Sequence, residues 1–92
     1  MYPKILRRMR ESVIQDKLIF TIHAVEEMDA DDLFKADVEN CILEGKIVAR
    51  QWDEDFQEWK YLVDGKTMDD DDFELTAKLS KDHTVIITAY LL

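Results

Sequence analysis

The sequence predicts an α+β fold in which N-terminal helices pack on one face of a four-stranded antiparallel sheet. Up to Gly45 the apolar residues recur at helical spacing, most clearly at Phe34, Val38, Cys41 and Ile42. From Lys46 onward the period changes to alternation, with short polar turns between the apolar runs. The length of 92 residues allows one domain, 1–92, with a single core, because a chain this short buries only about two thirds of its unfolded surface.

Pro3 suits the first turn of a helix, where its missing N–H costs nothing, and Ile5, Met9 and Val13 follow at four-residue spacing beside Leu6. These residues predict a first helix over 3–16. Leu18-Ile19-Phe20-Thr21 reads as a short apolar crossing, with Thr21 placed to cap a second helix running from Ile22 to Met28. Gly45 ends the third helix, where a left-handed residue is expected.

Four strands are expected near 46–52, 58–64, 73–80 and 84–91. Their turns fall at Asp53-Glu54-Asp55, from Asp64-Gly65 through Asp69–Asp72, and at Ser80-Lys81-Asp82-His83, so consecutive strands can pair as a meander. In the third, Phe73, Leu75, Ala77 and Leu79 alternate with polar residues; in the fourth, Val85, Ile87, Ala89 and Leu91 alternate with Ile86, Thr88 and Tyr90. Alternation puts one apolar face on the helices and leaves Arg50, Lys60, Thr76, Lys78, Thr88 and Tyr90 on the other. Trp52 and Trp59 flank the first hairpin and either close the core, the favoured placement, or form a binding edge.

Composition excludes several classes. A hydrophobic content of 47% marks a globular chain despite 36% charged residues. No apolar run approaches the ~20 residues of a membrane span, and the basic start is not followed by a signal-peptide core, so a soluble, cytoplasmic protein is expected. Cys41 stands alone, which excludes an intrachain disulfide and a cysteine zinc site and suits a small buried hydrophobe. A net charge of −9 argues against a general nucleic-acid binder. Residues 1–17 nevertheless carry five cations against two carboxylates. Such a helix is either a handle for RNA or an acidic partner, or it lies across its own acidic domain.

The motif order Thr21-x-His23-Ala24, Met28, Asp37-Val38, Ile42-Leu43-x-Gly45-Lys46-Ile47, Lys60-Tyr61-x-Val63-x-Gly65 and Val85-Ile86-Ile87-Thr88-Ala89-Tyr90 covers residues 20–90. It resembles domain-of-unknown-function family 4258, a prokaryotic family similar in size and layout to toxins of toxin–antitoxin pairs such as the RelE-like and BrnT-like ribonucleases. The resemblance implies a helix-then-antiparallel-sheet fold, cleavage of messenger RNA by a metal-independent endoribonuclease, and inhibition by an antitoxin. This chain departs from the family at three places. Glu27 and Asp31 stand where the family usually carries Arg, and Phe34 stands where it carries a serine-like cap.

Attack by a ribose 2′-hydroxyl needs a base, an acid for the leaving oxygen and a cation at the phosphate. His23 titrates nearest neutrality; Arg50, Lys60 and Lys78 supply cations; Tyr61 and Tyr90 can donate a proton or stack on a base. Each has a plainer reading: His23 as an ordered helix entry, the cations as solubilising side chains, Tyr90 as amphipathic packing. His83 falls in a turn and reads as a surface residue. The run Asp69–Asp72 lacks the oxygen spacing and central glycine of a calcium loop, and His23 with Glu26 or Glu27 is too small a set for a metal. No motif calls for a cofactor. Two functions of different classes follow: an endoribonuclease bound by an antitoxin, or a non-catalytic acidic module for a basic protein partner.

Overall fold

The computed structural model describes all 92 residues. The elements are α1 (Pro3–Ile14), β1 (Leu18–Phe20), α2 (Ile22–Ala30), α3 (Lys35–Glu44), β2 (Lys46–Asp53), β3 (Glu58–Lys66), β4 (Asp72–Ser80) and β5 (His83–Leu91). The three helices fall where the periodicity puts them, except that Phe34 is the exposed N-cap of α3 and not part of its buried stripe. Pro3 opens α1, and Thr21 caps α2 by accepting the Ala24 N–H at 3.1 Å. At the entry to α3 the Phe34 N–H donates to Asp37 Oδ2 at 2.8 Å, so a first-turn carboxylate satisfies a backbone donor that the Phe34 side chain cannot help.

The sheet has five strands in the order β1-β5-β4-β3-β2, not four. The meander from β2 to β5 is antiparallel as expected, but Leu18–Phe20 adds a strand parallel to β5, with Ile19 opposite Val85. The sheet is therefore mixed. Asp64 and Gly65 lie inside β3 rather than in a turn. The turn itself is residues 67–71, wound around Thr67, whose hydroxyl accepts the N–H groups of Asp69 and Asp71.

Helices α1 and α3 cover one face of the sheet, and α2 lies along β5. The core joins Met9 of α1 to Val38, Cys41 and Ile42 of α3 and to Val63, Phe73, Leu75 and Ile86 of the sheet, all fully buried or nearly so. Each large side chain there contributes about 1.5–3 kcal/mol by leaving water. Burial raises the Cys41 thiol to about 12, which makes it the inert hydrophobe expected of it.

Two bulges rearrange the faces that strict alternation predicts. In β2 the pairing passes from Ile47↔Val63 to Ala49↔Leu62, so Val48 is an extra residue. Arg50 consequently stands opposite buried Tyr61, on the helix side of the sheet rather than on the open face. In β5 the pairing passes from Thr76↔Thr88 to Ala77↔Ile86, so Ile87 is extra. The inward residues are Thr84, Ile86 and Ala89, not the expected series from Val85 and Ile87.

The two glycines also act differently from expectation. Gly45 has φ −91°, an ordinary value, and left-handed backbone falls instead on Tyr2, Asp16, Asp32, Gln57, Asp70 and Lys81. What Gly45 supplies is room: a Cβ there would lie 2.3 Å from the Asp64 carbonyl oxygen and 2.4 Å from that of Cys41. At Gly65 a Cβ would meet the Cys41 carbonyl at 2.9 Å and its Sγ at 3.0 Å. Both glycines let the end of α3 sit directly on β3.

The basic α1 lies across its own domain. Arg8 Nη2 donates to the Lys81 carbonyl at 2.7 Å, and Lys17 Nζ meets Asp82 at 2.7 Å. Arg10 donates to the carbonyls of Ile42 and Gly45, both at 3.0 Å, and so closes the C-terminal end of α3.

Candidate functional site

The open face of the sheet carries a polar band that runs across four strands. Lys46, Asp64, Glu74 and Tyr90 are successive cross-strand partners on β2, β3, β4 and β5. Tyr90 Oη donates to Glu74 Oε1 at 2.6 Å, and this bond with the nearby carboxylates pushes the phenol up to about 12. Asp64 is half-buried, and its Oδ1 is buried without a hydrogen-bond partner. Desolvation first, then the proximity of Glu74, raises its carboxyl to about 6, while Glu74 is lowered by its bonds to Asp64 and Tyr90. The opposite shifts on these facing carboxylates mean that, as pH falls, Asp64 takes up a proton before Glu74 does.

That arrangement makes stability depend on pH. Asp64 is raised above its unfolded value of about 3.9, so its contribution is complete below about pH 4 and lost as pH rises through 6. Asp64→Asn places a permanent donor beside Glu74. It is expected to stabilise the protein by about 1 kcal/mol at pH 8 after allowing for solvent screening, roughly 4–8 °C in melting temperature, and to do little at pH 4. Thermal melts of both proteins at the two pH values test this; an equal effect at both would refute it.

At the other end of the open face the two predicted lysines are already neutralised. Lys78 Nζ meets Glu58 Oε2 at 2.5 Å and lies 5.0 Å from the Phe56 ring; Lys60 Nζ lies 3.6 Å from Asp53 Oδ2. Arg50 and Tyr61 are on the opposite face. There Tyr61, Tyr2, Arg50, Trp59 and Trp52 form one continuous stack. Tyr61 packs edge-on against Tyr2 at 5.5 Å, and the guanidinium lies 5.2 Å from the Tyr2 ring and 3.8 Å from Trp59. Trp59 in turn packs edge-on against Trp52 at 5.1 Å. The two tryptophans are 41% and 38% exposed, so they form an edge and do not close the core.

His23 is exposed on α2, 3.5 Å from Glu27, and His83 is at the surface with Nδ1 2.8 Å from Asp82. The six residues singled out for catalysis thus fall in three places: Lys60, Lys78 and Tyr90 on the open face, Arg50 and Tyr61 on the helix face, and His23 outside the β5 edge. No single face brings the six together as an acid, base and cation set.

Glu27 and Asp31, the acidic departures from the family pattern, have a specific structural use. They lie one helical turn apart on α2, and their carboxylates accept the N–H groups of Ala89 at 3.2 Å and Leu91 at 3.0 Å. Thr21 Oγ1 donates to the Ile87 carbonyl at 3.0 Å. Beyond the short reach of β1, side chains of α2 and its cap therefore complete the hydrogen bonding of the β5 edge. Arginine offers no acceptor, so it cannot take this role. The sequence signal was present as two carboxylates at i and i+4, but its target strand was not. Replacing both residues by Ala is expected to cost about 2 kcal/mol and to speed exchange at the Ala89 and Leu91 amides selectively. Hydrogen exchange by NMR distinguishes this from general loosening, which would accelerate β3 and β4 equally.

No helix is long and apolar enough to cross a membrane. No curated protein and no solved structure matches the chain at a significant level. The family model described as Domain of unknown function (DUF4258) matches residues 20–91, from the last residue of β1 to the end of β5, and the chain belongs to that family.

Proposed function

We propose that the chain is a non-catalytic acidic protein-interaction module, on a fold like that of toxin–antitoxin ribonucleases, and that its partner is a basic protein. The observation that carries this reading is the neutralisation of the open face: Lys60 and Lys78 are each held by a carboxylate, and Tyr90 is committed to Glu74. A phosphate arriving there would meet paired cations and the Asp64–Glu74 pair, and the overall charge of −9 would oppose its approach. The same charge favours a cationic partner and would speed its encounter at low salt.

One observation favours the endoribonuclease reading. Arg50 faces aromatic rings rather than a carboxylate, and exposed tryptophans beside a free guanidinium can stack on unpaired bases. Induced expression in bacteria, with growth followed and newly formed RNA 5′ ends mapped, separates the two. Normal growth and unchanged RNA ends at high soluble protein levels are the expected result. Growth arrest with new ends, abolished in an Arg50→Ala variant that still folds, would replace the module reading with the nuclease.

A further inference from the structure

Several exposed apolar side chains lie on and beside α2. Ile22 and Val25 on α2 and Phe34 before α3 are 79%, 44% and 72% exposed. Phe20, Val25, Met28, Leu33 and Phe34 wall a groove of 310 Å³ between β1, α2 and the start of α3. This lies at the low end of the roughly 300–1,000 Å³ of small-molecule pockets, a size suited to a few inserted side chains. Helix α2 is apolar on two sides: Ala24 and Met28 are buried, while Ile22 and Val25 share a second stripe with Asp29. The exposed Val25 and Phe34 of the groove are thus distinct from its buried core residues Met28 and Leu33, and exposed apolar surface beside a groove marks an interaction site.

Charge identifies the occupant. Asp29 and Lys35 form the groove's lip, but Lys35 is paired with Asp16. Glu26, Asp29 and Asp32 nearby make no ion pair, so the uncompensated charge at the mouth is negative. A second copy of the chain would bring this acidic lip against itself. A helix with an apolar stripe at i, i+3/i+4 and i+7, flanked by Lys or Arg, would fill the groove and meet the lip with opposite charge. We propose that this groove is the docking site for a basic amphipathic helix of a partner protein; the proposal rests on the interaction-module reading and assigns the surface that reading uses.

The test is an NMR titration of the full chain with a synthetic Leu/Lys peptide about 15 residues long, enough for a helix to form on binding. A scrambled peptide of the same composition is the control. Phe34→Ser is the informative variant, because serine is a preferred residue at a helix N-cap and the exposed ring is not needed by the core. Amide shifts confined to β1, α2 and the start of α3 are expected, with binding weakened about tenfold or more by Phe34→Ser and by scrambling. Binding unaffected by Phe34→Ser, with shifts elsewhere, would overturn the groove while leaving an acidic interaction module standing. No binding of the Leu/Lys peptide, or a concentration-dependent dimer abolished by Phe34→Ser, would also overturn it. Failure of the module reading itself appears separately, as RNA cleavage in the expression experiment.

Discussion

Gly45→Ala is expected to lower the melting temperature by about 12 °C or more, the equivalent of about 3 kcal/mol. The added methyl would enter space bounded by two backbone carbonyls, those of Asp64 and Cys41. Neither can rotate away as a side chain would. Relief requires the end of α3 to lift from β3, which disturbs Cys41, Ile42 and Val63 together at the centre of the core. Thermal melts of wild type and variant check the magnitude, and the comparison with Gly65→Ala gives the cause. Its nearest contacts are longer, 2.9–3.1 Å, so it should cost clearly less. A Gly45→Ala protein as stable as wild type would show that the two elements are not held as closely as the geometry states.

Arg10→Met is expected to cost about 2 kcal/mol. The guanidinium donates to two carbonyls at the end of α3 that have no comparable partner once it is gone, and a hydrogen bond involving a charged group contributes roughly 1.5–3 kcal/mol. Methionine keeps much of the apolar stem, which isolates the loss of the head group from the loss of packing. Urea unfolding should show a lower midpoint with an unchanged slope, since the surface exposed on unfolding is the same. Arg7→Met provides the control: Arg7 is exposed on the same helix and should be near neutral. Equal effects at the two positions would mean that the charge of α1 matters and the cap does not.

The elements that were legible from sequence are those with an unambiguous period. All three helices and the β2–β5 meander follow from spacing, and Thr21 caps α2 as its position suggests. Strand β1 was hidden because three residues are too few to show alternation, and a parallel partner 66 residues away leaves no adjacent turn as a marker. The bulges at Val48 and Ile87 were hidden because neither position is a glycine or proline, yet each moves its neighbours to the opposite face. This is why Arg50 was expected beside Lys60 and is found beside Trp59. Gly45 was correctly read as a helix end, but for torsional freedom rather than for close approach. At the candidate site, the shared face of Lys60, Lys78 and Tyr90 was readable by parity. Their pairing with Asp53, Glu58 and Glu74 depends on register across strands, which composition does not contain.

The stretch recognised as a family member and the stretch able to fold alone have different limits. Family similarity begins at residue 20, yet Met9, Ser12 and Val13 of α1 are buried in the common core, and Ser12 Oγ accepts a hydrogen bond from the buried Thr84 hydroxyl of β5 at 2.8 Å. A protein cut at the edge of family similarity would bare that hydroxyl and the surface under Met9. Grafting this domain or fusing it to a reporter therefore has to carry the first helix along. A relative lacking an equivalent helix would need another segment, from its own chain or a neighbour, in the same place.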